Sequence, residues 1–121
     1  MQRPHVFAAL IAACLVFAAT ADRASGAPSS SDLATAGRAF ALKVCWACHI
    51  VAENQTQTPI LSHPAPSFLA IAQRPDLTES SLRQLLASHE EKIGHHAGMP
   101  NPRLVDYQID EVVAYIMSLK K

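Results

Sequence analysis

The chain has 121 residues, with ten Lys and Arg residues against ten Asp and Glu residues and a formal net charge of zero at pH 7. This length fits one small domain. No cluster of basic and aromatic residues points to nucleic acid as a partner, and bulk charge selects no other partner.

Residues 1–27 have the features of an export signal. An arginine gives a positive start, residues 6–21 form an apolar run rich in alanine, and small residues follow. Small residues precede two cleavage sites, after Ala21 and after Ala27, and the later site is preferred. We expect a signal peptide over 1–27, export to the periplasm, and a mature domain over 28–121.

Two other interpretations of the leader stay open. The run could be an uncleaved anchor, although it is shorter than the roughly 20 residues that a membrane-spanning helix needs. Cys14 loosely fits a lipid-attachment box, although apolar residues continue past it. Cleavage removes Arg3, Asp22 and Arg23 and leaves eight basic and nine acidic residues, a net charge of −1. We expect no stable membrane insertion of this mature chain.

The first helix of the mature domain should begin near Ser31 or Asp32, either of which can cap it. One face carries apolar residues and a glycine at helical spacing: Leu33, Gly37, Phe40 and Val44. A glycine in such a stripe leaves room for another backbone, so we expect a second element to cross at Gly37.

Directly after this stripe, Cys45-Trp46-Ala47-Cys48-His49 forms C-x-x-C-H, the attachment motif of a c-type haem. Cysteines three apart lie one helical turn from each other, so both thiols can reach the vinyl groups of one porphyrin. His49 then brings an imidazole nitrogen under the iron as the proximal ligand. The motif predicts one haem c, covalently attached through Cys45 and Cys48, outside the reducing cytosol.

A C-x-x-C pair also suits a thiol redox centre or half of a zinc site. The redox motif normally accompanies a βαβ pattern, and zinc needs two more ligands at set spacing. The remaining cysteine, Cys14, lies in the leader, and the adjacent His95 and His96 lack the gap of a zinc-binding pair. The histidine directly after Cys48 therefore favours haem.

The rest of the chain predicts a loop and three helical segments. Residues 50–65 show no period and contain prolines, which indicates a long loop that can wrap a haem edge. A short helical turn should cover 67–73, and Thr78 should cap a helix. The apolar face of that helix carries Leu82, Leu85, Leu86 and His89. The last helix should begin near Asp106, with Ile109, Val112, Val113 and Ile116 on one face.

A low-spin electron carrier fills the sixth position of its iron with a protein side chain. Met99 lies in a loop rich in glycine and proline, 50 residues after His49, far enough to reach the opposite face of the ring. Met117 falls inside the last helix, where methionine commonly fills gaps. Met99 is therefore predicted as the distal ligand, with His95 or His96 as the alternative.

These features resemble the class I c-type cytochromes over the whole mature chain. The matching residues belong to the haem motif, the distal loop and the crossing of the first and last helices: Cys45, Cys48, His49, Met99, Pro100, Gly37, Phe40 and Tyr115. Ala65-Pro66-Ser67-Phe68 is similar to the family's Gly-Pro-x-Leu stretch, which implies that the Pro66 carbonyl accepts a hydrogen bond from the proximal histidine. Val105 stands where the family often has serine or threonine.

The resemblance implies an all-α, class I cytochrome c-like fold, with three main helices and a short helical turn around one haem. It also implies an electron carrier, not an enzyme, that serves a respiratory or dehydrogenase chain. Its partners would be redox proteins met transiently: a periplasmic dehydrogenase, an oxidase or another cytochrome. A haem subunit bound tightly to a periplasmic dehydrogenase stays open as an alternative, as does a ligand-binding sensor or peroxidase.

Overall fold

The computed structural model describes residues 26–88 and 99–121. Four helices follow one another in these ranges: α1 (Ser30–Val44), α2 (Phe68–Ala72), α3 (Glu79–Ala87) and α4 (Asp106–Ser118). Because α2 has only five residues, the all-α expectation of three main helices and one short helical turn is confirmed. Residues 1–25, which include Cys14 and Ala21, lie outside the described residues, as do His89, His95 and His96.

The first helix begins slightly earlier than the sequence predicts, because Ser29 is its cap. The Ser29 hydroxyl accepts a hydrogen bond from the Asp32 N–H (3.2 Å), and the Asp32 carboxylate accepts one from the Ser29 N–H (3.1 Å). This reciprocal capping box satisfies two N–H groups that have no partner within the helix. The prediction of Ser31 or Asp32 as the cap is therefore wrong, since Asp32 acts from the third helical position.

α1 crosses α4 at Gly37, as the sequence predicts. A Cβ atom on Gly37 would lie 1.9 Å from the carbonyl oxygen of Glu111 and 3.0 Å from the Cβ of Tyr115. The two backbones are therefore in direct contact. The buried residues of α1 are the small ones, Gly37 and Ala41, whereas Val44, which belongs to the predicted apolar stripe, is 47% exposed.

α4 forms the centre of the core. Its buried residues include all four of the predicted apolar face together with one tyrosine: Ile109, Val112, Val113, Tyr115 and Ile116. α3 contributes Leu82 and Leu86, but Leu85 is 56% exposed. The nine-residue α3 packs through a single row spaced four residues apart, so the predicted place of Leu85 on the core face is wrong.

The residue before α4 provides no side-chain cap, and each end of the helix is held by a hydrogen bond with another side chain. Val105 has no side-chain oxygen to offer, and its N–H instead donates to Oε1 of Gln108 at 3.1 Å. At the other end, the ammonium of Lys120 donates to the Leu77 carbonyl at 3.0 Å, which ties the C-terminus of α4 to the turn before α3. In the described ranges, no helix has the length and apolar character needed to cross a bilayer.

We expect Gly37→Ala to destabilise the protein. The added methyl group meets a backbone oxygen, which cannot rotate away, so α1 and α4 must separate. Overpacking of this kind costs about 1–3 kcal/mol, and a clash this close belongs at the upper end of that range. It outweighs the roughly 1 kcal/mol by which alanine favours a helix over glycine. Denaturant unfolding of the haem protein measures the difference.

The matched control is Ala39→Ser, on the exposed face of the same helix. This change should alter the free energy of unfolding by less than about 0.7 kcal/mol. A Gly37→Ala protein as stable as the parent would contradict the proposed contact between the two backbones.

Candidate haem site

The two cysteines lie in a turn that continues α1. The Cys45 N–H donates to the Ala41 carbonyl at 2.8 Å, and the N–H groups of Cys48 and His49 both donate to the Cys45 carbonyl, at 3.2 and 3.0 Å. The helical spacing is thus kept through the motif, although α1 itself ends at Val44. Both thiols are free and half-buried. The structure therefore places Cys45, Cys48 and His49 together, as the sequence predicts.

The chemistry of Cys45 differs from that of a redox-active thiol. Burial raises the pKa of the Cys45 thiol to about 11, with a smaller contribution from the neighbouring Cys48. Catalytic C-x-x-C pairs have the opposite property, a lowered thiol pKa that maintains a nucleophilic thiolate. Among the described residues, no three His, Cys, Asp or Glu side chains gather as a metal-binding cluster.

The ring of His49 is fixed by one hydrogen bond. Its Nδ1 lies 2.7 Å from the Pro66 carbonyl oxygen, and because a carbonyl only accepts, Nδ1 must donate. The neutral ring then has its lone pair on Nε2, the atom that can bind a metal. His49 is 8% exposed, and no buried side-chain nitrogen or oxygen in the described ranges lacks a partner. Nε2 has no hydrogen bond among these residues, so it is not one of the fully buried atoms, and a metal ion can reach it.

Backbone pairing places Pro66 against this ring. The Ala65 N–H donates to the Cys48 carbonyl, and the Phe68 N–H donates to the Ile50 carbonyl, each at 2.9 Å. The first bond belongs to a parallel bridge between His49 and Ala65, and the second lies just beyond that bridge, so the two bonds flank His49. The Phe68 ring also packs edge-on against the imidazole, with 5.4 Å between ring centres. The expected hydrogen bond from His49 to the Pro66 carbonyl is thereby confirmed.

The predicted loop over 50–65 returns to the haem motif. The Ile60 N–H donates to the Ala47 carbonyl at 2.9 Å, and the Arg38 guanidinium donates to the Asn54 side chain at 2.7 Å. The loop is thus tied both to the motif and to α1. Sequence reasoning missed Gln55 in this loop, whose Oε1 accepts from the Val51 N–H at 2.6 Å. No periodicity marks a glutamine in a run of polar residues, so the sequence carried no signal for it.

Met99 lies on a separate segment, beside the end of α3. With the following residues of its loop, Met99 lines a small pocket against Leu85 and Ser88. It is 46% exposed and so takes no part in the core, whereas Met117 packs against the core as predicted. The two alternative distal ligands, His95 and His96, lie outside the described residues.

Comparison with known proteins agrees with this geometry. The cytochrome c family model matches residues 34–120. The chain belongs to the cytochrome c family. It is 31% identical over 107 residues to cytochrome c-552 of Bradyrhizobium diazoefficiens, and the match covers 88% of this chain and 91% of that relative. No solved structure gives a significant match.

The residues of this class I c-type cytochrome fit haem c. Two free thiols lie one turn apart, and a histidine of fixed tautomer follows them with Nε2 unpaired. Cys45 and Cys48 hold one haem covalently, as in the family. When bound, the haem supplies the iron that alternates between ferrous and ferric states, and the cytochrome acts as an electron carrier.

We expect the double variant Cys45→Ala/Cys48→Ala to lose its haem on denaturation. Without the thioether bonds only non-covalent contacts remain, and unfolding removes them. The measurement is the mass of the acid-denatured chain, which should equal polypeptide plus one haem for the parent and polypeptide alone for the variant. Ala47→Ser, between the two cysteines, is the control and should retain the haem mass. A denatured double variant that still carries haem would contradict attachment at these two residues.

Proposed function

We propose that this cytochrome carries single electrons between redox proteins of a respiratory or dehydrogenase chain in the periplasm, with His49 and Met99 as the axial ligands. The observation that carries the proposal is the hydrogen bond from His49 Nδ1 to the Pro66 carbonyl (2.7 Å), which leaves Nε2 for the iron. With both axial positions taken by side chains, the iron has no open site, and an electron leaves through the haem edge.

The surroundings of Met99 support its role as the distal ligand. The Arg103 N–H donates to the Asn101 side chain at 2.7 Å, which closes a side-chain turn of the kind asparagine favours. Arg103 itself has φ of 53°, in the left-handed region that non-glycine residues seldom adopt. Residues 99–105, which contain this turn, join Met99 to α4. Met117, in contrast, packs against the core.

The loop beside the haem motif supports a transient, uncharged contact with the partner. Residues 54–73 contain no Asp, Glu, Lys or Arg. Two apolar side chains of this stretch, Ile60 and Leu61, are 74% and 47% exposed, and the Ile60 backbone is bonded to Ala47 within the motif. Redox encounters use small interfaces, below about 1,200 Å². The proposed partner is a redox protein with an uncharged apolar rim around its own electron-transfer site.

Export follows from the leader. Residues 1–27 form the proposed signal peptide and Pro28 starts the mature domain, since small residues end at Ala27 and serines follow. The mass of the denatured haem protein reports the first residue directly. A mass that retains the leader, or that adds a lipid on Cys14, would reject this part of the proposal.

Met99→Ala should lower the reduction potential and open the iron to external ligands. A thioether sulfur favours ferrous iron, and its loss leaves a position that water or a nearby imidazole can fill. Redox titration measures the potential. Carbon monoxide binding to the reduced protein, slow or absent in the parent, should become measurable in the variant.

Met117→Ala is the matched control for Met99→Ala. Truncation of a methionine that packs on the core should cost about 2 kcal/mol of stability while the ligation spectrum stays that of the parent. If Met99→Ala kept the potential and spectrum of the parent, another residue would be the distal ligand, and His95 and His96 would be tested next.

Electron exchange with the partner should depend weakly on salt. Rates of charge-steered pairs fall steeply as ionic strength rises, and the proposed contact surface, 54–65, has no charged side chain. Stopped-flow rates at low and physiological salt measure this dependence. The charged variant Gln57→Lys/Ser62→Lys should introduce the dependence that the parent lacks. A steep fall of the rate in the parent would instead place the contact on a charged surface elsewhere.

A further inference from the structure

Side chains hold both polar backbone groups of Val51, two residues after His49. The Val51 N–H donates to Oε1 of Gln55 at 2.6 Å, and the Val51 carbonyl accepts from the Tyr115 hydroxyl at 2.9 Å. The Val51 side chain is 1% exposed. A shift of Val51 would break one of these hydrogen bonds. Such a shift is unfavourable, because a buried backbone group without a partner is costly.

Gln55 and Tyr115, the two side chains that bind the Val51 backbone, are themselves held by further contacts. The Gln55 amide also accepts from the Ala52 N–H at 3.3 Å and donates to the Gln57 carbonyl at 2.7 Å. Tyr115 is 5% exposed on α4, and its ring packs against Phe68 with 6.1 Å between ring centres. Burial raises the pKa of Tyr115, so the hydroxyl stays protonated and donates.

Val51 continues the backbone segment that sets the hydrogen bond of His49. On one side of the histidine the Cys48 carbonyl is paired with Ala65, and on the other the Ile50 carbonyl is paired with Phe68. If Val51 moves, the Ile50 carbonyl moves with it and the pairing that places Pro66 loosens. The distance from His49 Nδ1 to the Pro66 oxygen then increases.

We propose that Gln55 and Tyr115 are positioning residues that tune the electron affinity of the haem iron through His49. The proposal rests on the proximal ligation by His49 proposed above. A hydrogen bond from the remote nitrogen makes an imidazole a more basic ligand, and a more basic ligand favours ferric iron. Loss of either hydrogen bond to Val51 weakens the hydrogen bond from His49 to the Pro66 carbonyl and so raises the reduction potential.

Two variants of the haem protein test this proposal, each with a matched control. Tyr115→Phe removes only the hydroxyl, and its control is Tyr107→Phe on the same helix, where the tyrosine is 62% exposed. Gln55→Leu removes the amide, and its control is Gln57→Leu, which leaves the Gln57 carbonyl in place. Redox titration gives the potential. Proton NMR of the reduced protein gives the chemical shift and exchange rate of the His49 Nδ1–H.

Both variants should raise the potential relative to their controls. The one-electron equilibrium should shift toward the ferrous form by up to about tenfold, which corresponds to about 59 mV. The Nδ1–H should move toward the shift of a weaker hydrogen bond and exchange faster. Gln55→Glu should bring the Nδ1–H signal back toward that of the parent, because a carboxylate accepts from the same two N–H groups.

The outcomes separate a positioning role from a merely structural one. Lower stability with a potential and an Nδ1–H signal equal to those of the controls would overturn the proposal, as would a fall in potential in Gln55→Leu. If Tyr115→Phe fails to fold, the potential and Nδ1–H signal of Gln55→Leu, and their recovery in Gln55→Glu, test the proposal. A parent spectrum without the Nδ1–H of a haem-bound His49 would refute the ligation itself. A parent spectrum with it, unchanged in both variants, would refute only the positioning.

Discussion

The contact between the backbones of α1 and α4 at Gly37 is the constraint on which the rest of the structure depends. It places the end of α1 two helical turns from the point of contact, and the turn that carries the two cysteines follows directly. On α4 the neighbouring residue in the same contact is Tyr115, whose hydroxyl reaches Val51. The absence of a Cβ at Gly37 thus sets the position of the haem-attachment turn after α1. It also sets the position of Tyr115 on α4, which holds the segment after His49.

The surroundings of His49 are built mostly from backbone groups. Carbonyls of Cys48 and Ile50 accept from the N–H groups of Ala65 and Phe68, and the hydrogen bond that His49 donates also ends on a carbonyl. Backbone groups are present whatever the side chains are, so this geometry survives substitution at most of the positions involved. Proline suits position 66 because it needs no partner for an N–H while its carbonyl remains free to accept. The tautomer of His49 follows from this arrangement.

The site combines a histidine held by several contacts with surroundings that carry little charge. His49 is held by a hydrogen bond, by the ring of Phe68 and by the pairing around it. Residues 54–65 of the loop that returns to Ala47 include the exposed Ile60 and Leu61 and contain no Asp, Glu, Lys or Arg. In the proposed function this combination suits a carrier that binds and releases its partners, since the proposed contact surface carries no charge that would hold a partner tightly.

The sequence by itself determined what depends on chemistry and on local spacing. C-x-x-C-H predicts haem attachment because it places two thiols one helical turn apart and a histidine ligand directly after them. The 3.6-residue period predicts the core face of α4 residue by residue, and Gly37 predicts the helix crossing because a close approach needs a residue without Cβ. The capping signals predict α3 at Thr78 and place the start of α1 within three residues of Ser29.

Only the tertiary structure decided which residues meet across the chain. Leu85 fits the apolar period of α3 and Val44 that of α1, yet both are exposed in the fold, because each helix packs along a narrower row than its pattern offers. Gln55 and the Tyr115 hydroxyl meet at Val51 although 60 residues separate them along the chain. A local pattern cannot encode such a meeting, since it depends on how α4 lies over the loop, and that follows from packing between helices.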